Sequence, residues 1–353
     1  MAASLAGLAF LAVTSAALLS PLAVVGQLRT DYYSTICPNL ETIVRSSVKQ
    51  SMAASPISAP ATLRLFFHDC AVRGCDASIM IVNSNGDDEW RNSDNQSLKP
   101  EGFTTVLNAK AAVDSDPQCR YKVSCADILA LAARESVYQM KALRPAFTKK
   151  HKSSYIEKRG KAVKTRETVL STRSGGPNYQ VELGRYDGRV STRDSVVLPH
   201  ANFNLDQLNA FFAGLGLSQT DMIALSGGHT FGAADCRFFQ YRIGADPAMD
   251  QGFAAQLRNT CGGNPNNFAF LNGATPAAFD NAYYRGLQQG RGLLGSDQAL
   301  HADQRSRGTV DYYAWSQSAF FGGFAAAMTR LGRVGVKTAA TGGEIRRDCR
   351  FPN

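Results

Sequence analysis

The chain has 353 residues, of which 44% are hydrophobic and 19% are charged. This composition is typical of a globular protein, and the length is sufficient for a large core or a core divided between two lobes. A disordered or collagen-like chain is excluded. The net charge of +9 raises the question of a nucleic-acid or other polyanionic partner.

The N-terminal 26 residues are typical of a secretory signal. An apolar run from Leu5 to Leu19 is followed by Pro21 and small residues, which predicts cleavage near Gly26 and a mature domain at 27–353. The run is short for a membrane span, and no later segment reaches the ~20 apolar residues that a span requires. We therefore expect secretion, with no membrane association after the signal is removed.

The positive charge is concentrated in one stretch. Residues 141–173 contain eleven Lys or Arg and two Glu, a net charge of +9 that equals that of the whole chain. The remainder is close to neutral, which argues against a nucleic-acid-binding surface. The stretch lacks helical periodicity and is longer than ordinary connections, so we interpret it as a disordered insertion. It is either a polyanion-binding loop or translated non-coding sequence kept in a gene model, and its abrupt change of composition favours the second.

Helix caps and 3.6-residue periodicity recur along the rest of the chain and predict a mainly α-helical fold with few short strands. Capping boxes are predicted at residues 124–127 and 218–221. Thr275 is predicted to cap a helix whose first residue is Pro276. Residues 320–331 predict a further apolar helix.

Residues 61–78, ATLRLFFHDCAVRGCDAS, predict a buried helix that carries two polar side chains. Arg64 and His68 are four positions apart, so they share one face of the helix. Burying a guanidinium is unfavourable unless a partner or a site compensates it. The face therefore either lines a cavity or holds a structural ion pair beside a core histidine, and this helix alone leaves both interpretations open.

A second histidine, His229, stands in the segment LSGGHTFG after a capped apolar helix. Gly227 and Gly228 leave room for a bulky flat group to approach the backbone. Taken alone, such a histidine is more often a hydrogen-bonded core residue than a metal ligand.

The chain has eight cysteines, an even number after a secretory signal, which predicts four disulfides formed in an oxidising compartment. The absence of C-x2-C pairs argues against a zinc site. The spacing leaves the pairing of the cysteines open.

Two ordered motifs, R-x3-H-D-C-x3-G-C-D-A-S at 64–78 and L-S-G-G-H-T-F-G at 225–232, resemble the secretory plant (class III) haem peroxidases. Outside the insertion the similarity extends from Gln27 to Cys349. Further matching segments are residues 33–38, 123–127, 183–185, 279–284 and 296–298. The resemblance implies a mainly α, two-lobed helical peroxidase fold with haem b (iron protoporphyrin IX) between the lobes.

The resemblance implies the two sides of a haem site. His229 is the expected axial ligand of the iron. Asp297 is expected to accept the other ring N–H of His229, which makes the imidazole a stronger electron donor. On the opposite side, His68 is expected to take a proton from hydrogen peroxide and return it to the leaving oxygen. Arg64 is expected to stabilise the charge that develops as the O–O bond breaks.

Asn95 is expected to support His68. By the resemblance it accepts a hydrogen bond from the other ring nitrogen of His68, with Glu89 in support, and so keeps the working nitrogen unprotonated. Asn95 also begins the N-x-S/T sequon of the chain, Asn95-Gln96-Ser97. A glycan is incompatible with a buried role, so we expect Asn95 to be unmodified.

The resemblance further implies two calcium sites, since hard oxygen ligands suit calcium. The first comprises Asp69, Val72, Gly74, Asp76, Ser78 and, through water, Glu89. The second comprises Thr230, Asn272, Thr275, Ala278 and Asp280. A solvated acidic turn is the alternative for the first site. In the second, Asn272 replaces the Asp that is usual in the family, which predicts a weaker ion.

The implied disulfides are Cys37–Cys119, Cys70–Cys75, Cys125–Cys349 and Cys236–Cys261. Pro199 corresponds to a residue at the donor entrance. Ala71 stands where Phe is frequent, and Tyr179 stands where Trp is frequent, so access to the haem edge is expected to differ.

The leading hypothesis is an enzyme that reduces hydrogen peroxide and oxidises small phenolic donors in one-electron steps. The family-level roles are oxidation of cell-wall phenolics and lignin, peroxide removal and the response to oxidative stress. We expect a monomer in the extracellular space or cell wall, because the chain stops at Asn353 without the extension that vacuolar members often carry. A haem-free wall-binding protein and a nucleic-acid binder are the competing hypotheses, and the four intact residues Arg64, His68, His229 and Asp297 favour the enzyme.

Overall fold

The computed structural model describes residues 28–139 and 175–353. The predicted signal, 1–26, and the basic insertion, 141–173, lie outside the described residues. The described part contains eleven α-helices, two strands of three residues and several 3-10 turns. The prediction of a mainly α fold with few short strands is thus confirmed.

Four helices form the N-terminal group. They are α1 (Leu40–Ala54), α2 (Ser58–Val72), α3 (Pro100–Ser115) and α4 (Cys125–Tyr138). Both α1 and α2 pack against α3 and α4. Every residue of α4 from Cys125 to Val137 is buried, so this helix is enclosed on all sides and forms the centre of the group.

Seven helices and a small two-stranded sheet form the C-terminal group. The helices are α5 (Leu205–Gly214), α6 (Gln219–Ser226), α7 (Gln251–Cys261), α8 (Ala282–Gln288), α9 (Gly295–Ala302), α10 (Gln304–Trp315) and α11 (Gln317–Leu331). Helix α6 packs against α11, and α10 packs against α8 and α9. The strands β1 (Ala233–Asp235) and β2 (Phe268–Phe270) pair antiparallel, with Ala233 opposite Phe270.

The two predicted capping boxes have different outcomes. At α6 the Ser218 hydroxyl accepts from the Asp221 N–H and the Asp221 carboxylate accepts from the Ser218 N–H, as predicted. At α4 the Ser124 hydroxyl accepts from the Asp127 N–H at 3.1 Å, but the return half of the box is replaced. The Asp127 carboxylate is instead held by the buried guanidinium of Arg185 at 2.8 Å. The ion pair with Arg185 thus takes the place of the return hydrogen bond of the box, and the Ser124 cap remains.

The predicted helix start at Thr275 is wrong, because α8 begins at Ala282. The Thr275 hydroxyl donates to Asp280 Oδ1 at 3.0 Å, and the same oxygen accepts from the Ala282 N–H at 3.0 Å. Asp280, rather than Thr275, therefore satisfies the first turn of the helix. Phe279 lies before the start of α8 and Tyr283 lies within it, and both are buried in the core. Their apolar spacing therefore does not mark one continuous helix.

Four disulfides are present, and they are the four pairs that the resemblance implies. They join Cys37 with Cys119, Cys70 with Cys75, Cys125 with Cys349, and Cys236 with Cys261. The third connects the first residue of α4 to the C-terminal tail across 224 residues of sequence. Closing so long a loop restricts the unfolded chain and fixes the tail to the centre of the fold.

Arg185 forms a buried ionic connection between α4 of the N-terminal group and the residues that follow α11 in the C-terminal group. Its side chain is 2% exposed and pairs with Asp127, which is fully buried, at 2.8 Å. Its other guanidinium nitrogens donate to the Gly332 carbonyl, just beyond α11. Removal of one partner leaves the other charge buried and uncompensated.

Replacing Arg185 by Met is therefore expected to lower the free energy of unfolding by about 3–5 kcal/mol. Arg333 is a matched control, because its ion pair with Glu182 lies at the surface, with 40% of the Arg333 side chain exposed. We expect Arg333→Ala to cost about 1 kcal/mol or less. Urea unfolding with the disulfides intact measures both, and equal losses in the two variants would show that burial of the Arg185 pair is not decisive.

Candidate functional site

Helix α2 presents Arg64 and His68 on one face, as their spacing predicts. Arg64 Nε donates to His68 Nε2 at 3.1 Å. On the other side of the helix, Leu65 and Phe66 are buried in the main core. The apolar face thus fixes the helix, and the polar pair is directed away from the core.

Asn95 fixes the tautomer of His68. Its Oδ1 lies 2.7 Å from His68 Nδ1, and its Nδ2 donates to the Glu89 carbonyl at 2.8 Å. Because a carbonyl can only accept, the amide oxygen must face the imidazole, and His68 Nδ1 must carry the proton. His68 Nε2 is consequently an acceptor, which agrees with the hydrogen bond that it receives from Arg64.

The electrostatics of this pair favour a neutral histidine. Burial, and then the charge of Arg64, lower the pKa of His68 to about 3, against the opposing effect of Asn95. Burial also lowers the pKa of Arg64 to about 10, although the guanidinium remains open to solvent. A side chain that is enclosed by protein atoms yet wet is expected to line a recess rather than the outer surface.

Ser97 holds the guanidinium in place and was missed by the sequence reasoning. Its hydroxyl accepts from Arg64 Nη2 at 2.9 Å and its carbonyl accepts from Nη1 at 3.2 Å. No spacing rule connects Ser97 to α2, so only the fold reveals the contact. Ser97 is also the serine of the sequon, and both ends of the sequon are thus committed to the Arg64–His68 pair.

His229 lies in a 3-10 turn, Gly227–Thr230, that directly follows α6. Its Nδ1 is 2.7 Å from Asp297 Oδ1, and Asp297 is 2% exposed. A carboxylate acceptor requires the proton on Nδ1, so the lone pair of His229 Nε2 is free to bind a metal. The His229 side chain is 40% exposed, which leaves that nitrogen accessible.

Tyr283 also binds Asp297, and this contact was missed although Tyr283 lies in a matched motif. Its hydroxyl donates to Asp297 Oδ1 at 2.8 Å, and the Leu294 N–H donates to Oδ2 at 3.1 Å. Burial raises the pKa of Asp297, but the adjacent His229 and these hydrogen bonds outweigh burial and hold the pKa below its usual value. Asp297 is therefore an ionised, fully oriented partner for the imidazole.

The two histidines belong to segments that meet. A Cβ added to Gly228 would lie 3.5 Å from Leu63 Cδ2, and one added to Gly232 would lie 3.4 Å from Pro60 Cβ. The turn that carries His229 therefore approaches the same helix, α2, that carries Arg64 and His68. We refer to the region between this turn and α2 as the recess.

Comparison with known proteins identifies the family. A family model described as peroxidase matches residues 44–316. The chain is 49% identical over 334 residues to Peroxidase 45 of Arabidopsis thaliana, which covers 92% of this chain and 91% of that protein. It is 48% identical over 337 residues to Peroxidase 16 of the same plant, with 92% and 93% covered. The chain belongs to the plant class III peroxidase family. It is a haem peroxidase that reduces hydrogen peroxide and oxidises phenolic donors.

The recess of this peroxidase fits the haem that the family implies. His229 offers one free ring nitrogen, and the small residue Gly228 beside it leaves the approach to the backbone open. His68 and Arg64 are oriented by hydrogen bonds to Asn95, to Ser97 and to each other. His229 is thus the residue that could hold the iron, and the α2 pair is left for peroxide.

The first calcium set surrounds the end of α2. Asp69, Asp76, Ser78 and Glu89 are each at most 1% exposed. Burial raises the pKa of Asp69 and of Asp76, and it raises the pKa of Glu89 to about 8. Ser78 Oγ and both Glu89 carboxylate oxygens make no hydrogen bond of normal geometry within the described residues, although Ser78 lies close enough to Asp76 and Glu89 to lower the pKa of each against burial. Such uncompensated buried oxygens are expected where a cation and its water complete the site.

The backbone members of this set are shaped by a tight loop. Gly74 has a φ of +103°, and a Cβ there would collide with the backbone of Gly335. The Gly74 carbonyl accepts from the Asp76 N–H at 2.7 Å, and Val72 is the last residue of α2. The described residues contain no cluster of three or more His, Cys, Asp or Glu side chains that could hold a metal ion by themselves. A cation here needs the hydroxyl and carbonyl oxygens as well.

The second calcium set is also brought together, beside His229. Thr230, Asn272, Thr275 and Asp280 are joined by hydrogen bonds, and Ala278 is buried nearby in sequence. Unlike the first set, none of its side chains has an unpartnered buried polar atom in the described part of the chain. The first set therefore contains buried oxygens that a cation would satisfy, whereas the side chains of the second set already satisfy one another.

Residues at the expected donor entrance lie along α2. Leu198, which precedes the half-buried Pro199, packs with Ala71 and Phe67. The Phe67 and His68 rings meet edge to face at 5.9 Å. Tyr179 is partly buried against the main core, where burial raises its pKa, and its carbonyl accepts from Arg134. Leu198 thus connects Pro199 to the α2 face beside Phe67, whereas Tyr179 packs against the edge of the main core.

Asn95 is expected to carry no sugar in the native protein, although it begins a sequon. It is fully buried, and both amide atoms are engaged by His68 and Glu89. Mass spectrometry of the intact Asn95 peptide measures this directly. Enzymatic deglycosylation, as a control, should leave the mass of that peptide unchanged, and a glycan on Asn95 would contradict its position beside His68.

Proposed function

We propose that the recess between α2 and the 227–230 turn is the site where hydrogen peroxide is reduced. The observation that carries the proposal is the matched orientation of two imidazoles. His229 and His68 each have Nδ1 bound to an acceptor, Asp297 or Asn95, at 2.7 Å. Each therefore directs the lone pair of Nε2 away from its support; that of His229 is offered to a metal, and that of His68 accepts from Arg64 until peroxide takes its place.

In this proposal His229 holds the iron and Asp297 strengthens it as a ligand. A carboxylate that accepts the ring N–H increases the basicity of the other nitrogen. Tyr283 donates to the same carboxylate oxygen and limits that effect, so the two contacts together set the donor strength of His229. When bound, haem supplies the redox centre that takes two electrons from donors and gives them to peroxide.

On the other side, His68 is the base and Arg64 is the electrostatic partner. His68 Nε2 takes a proton from one oxygen of hydrogen peroxide and returns it to the other oxygen, which leaves as water. The Arg64 guanidinium offers N–H donors to the charge that develops on that leaving oxygen. Ser97 and Asn95 hold the two side chains, and Arg64 Nε has to release His68 Nε2 as peroxide binds.

The proposed donors are small phenols, which reach the site past Pro199 and Ala71. Ala71 stands where Phe is frequent in the family, so access to the haem edge is proposed to differ on the α2 side. Oxidation of cell-wall phenolics, lignin formation, peroxide removal and the stress response are proposed as physiological settings from the family resemblance alone.

We also propose that a calcium ion completes the set formed by Asp69, Asp76 and Ser78. Its oxygen donors would be joined by the carbonyls of Val72 and Gly74 and, through water, by Glu89. The support is the group of buried oxygens without partners, Ser78 Oγ and the Glu89 carboxylate. Since Asp69 directly follows His68, the ion would fix the end of the catalytic helix.

The mature protein is proposed to be a monomeric extracellular or cell-wall enzyme of residues 27–353. The apolar N-terminal run supports secretion, and no described helix is long and apolar enough to cross a membrane. The basic stretch 141–173 is proposed to come from translated non-coding sequence. A transcript that joins codons 140 and 174 directly supports this, and mature peptides that span the stretch refute it.

Replacing His68 by Ala is expected to slow the reaction with peroxide by about 10²- to 10⁴-fold, because the proton acceptor is lost. His301 offers a matched control, since it pairs with Asp311 at 3.1 Å away from the recess. His301→Ala should retain the wild-type rate. Stopped-flow absorbance measures the bimolecular rate constant with peroxide, and equal rates in wild type and His68→Ala would exclude the proposed base.

Chelation of calcium is expected to destabilise the native enzyme reversibly. At a free calcium concentration about one hundred times the dissociation constant, binding to the native state contributes about 2.7 kcal/mol. Thermal unfolding with EGTA or with added calcium measures the difference. Asp76→Asn should abolish the effect of calcium on thermal unfolding, whereas Asp194→Asn, at an exposed position, should preserve it. A calcium response that survives in Asp76→Asn places the ion elsewhere.

A further inference from the structure

The oxygens of the second calcium set are already bound to a donor of this chain. Asn272 Nδ2 donates to the Thr230 carbonyl at 3.2 Å, to the Thr230 hydroxyl at 3.3 Å and to the Thr275 hydroxyl at 2.9 Å. These are three of the oxygens that a cation would have to bind. The amide nitrogen, with its partially positive hydrogens, lies among them where the ion would be.

The orientation of the Asn272 amide is fixed by groups that have only one possible role. Its Oδ1 accepts from the Ala274 N–H at 3.1 Å, and a backbone N–H can only donate. Its Nδ2 faces the Thr230 carbonyl, which can only accept. Turning the amide to offer oxygen to a cation would set the NH2 group against the Ala274 N–H, so two donors would face each other without an acceptor.

One oxygen of the single carboxylate of the set, Asp280 Oδ1, is occupied as well. Asp280 Oδ1 accepts from the hydroxyls of Thr230 and Thr275 at 3.2 and 3.0 Å and from the Ala282 N–H at 3.0 Å. Each threonine hydroxyl thus donates to Asp280 and accepts from Asn272. The hydrogen bonds form a closed circuit that links the side chains of Thr230, Asn272, Thr275 and Asp280.

The comparison with the first set is the decisive observation. There, three carboxylates are buried and three side-chain oxygens lack partners, whereas here there is one carboxylate and no such oxygen within the described residues. A calcium ion added to the first set would satisfy unpaired oxygens. Added to the second, it would have to displace existing hydrogen bonds and gain only one formal negative charge.

We infer that the Asn272 amide replaces the second calcium ion, so that this peroxidase holds the turn after His229 without a metal. Thr230 directly follows His229, and Asn272 and Asp280 anchor it from the segment that precedes α8. The iron-ligand side of the recess is then independent of calcium, and only the α2 side responds to it. The inference rests on the family assignment and revises the expectation of two ions.

The calcium content of the native haem-loaded enzyme tests this first. After removal of loosely bound metal, elemental analysis should give one calcium per chain for the wild type and two for Asn272→Asp, in which a carboxylate restores the acidic ligand. Asp280→Asn in the wild-type background should not change the content. Two tightly bound ions in the wild type, or the same number in wild type and Asn272→Asp, would overturn the inference.

Hydrogen exchange measured by mass spectrometry locates the ions and separates the two calcium proposals. On addition of EGTA, wild-type peptides that contain Asp76 and Glu89 should exchange faster by about tenfold or more, and peptides around Thr230 and Asn272 should not change. In Asn272→Asp both regions should respond. A response around Thr230 in the wild type would overturn the inference, whereas silence around Asp76 would contradict only the first calcium site.

Discussion

The structure depends on the way in which two imidazoles are held by their Nδ1 atoms. Asp297 and Asn95 each accept from one histidine at 2.7 Å, and both are buried, so neither ring can rotate without losing a strong hydrogen bond. The two acceptors differ in charge. In the proposed mechanism, the carboxylate would make His229 a stronger metal ligand, whereas the neutral amide would leave His68 a weak base that is unprotonated before peroxide arrives. One fold thus gives two identical side chains different chemistry.

The rest of the fold holds these four side chains in position. Helix α2 is fixed by its apolar face and, at its end, by the Cys70–Cys75 disulfide and the buried acids beside it. The turn that carries His229 is fixed by the closed hydrogen-bond circuit of Asn272 and Asp280. The two sides are therefore secured in different ways, one by buried acids proposed to bind a cation and the other by hydrogen bonds among an amide, two hydroxyls and one carboxylate.

The sequence contained much of this arrangement, but not all of it. The spacing of Arg64 and His68 predicts a shared helix face, because helical periodicity is local. The pairing of His229 with Asp297, 68 positions apart, came only from the family resemblance. Tyr283 and Ser97 were missed because their contacts depend on tertiary packing. The helix start at Thr275 was mispredicted because Asp280 competes for the capping role, and the orientation of the Asn272 amide depends on neighbours that no spacing rule reveals.

The most direct test of the account is the absorbance spectrum of the purified mature protein, compared with that of His229→Ala. The account predicts one haem per chain in the wild type, an intense Soret band, and a rapid change of that band on addition of peroxide. The variant should lose the iron ligand and, with it, both the wild-type band and the peroxide-dependent change. A variant that retains the pigment and oxidises phenols at the wild-type rate would contradict the assignment of His229.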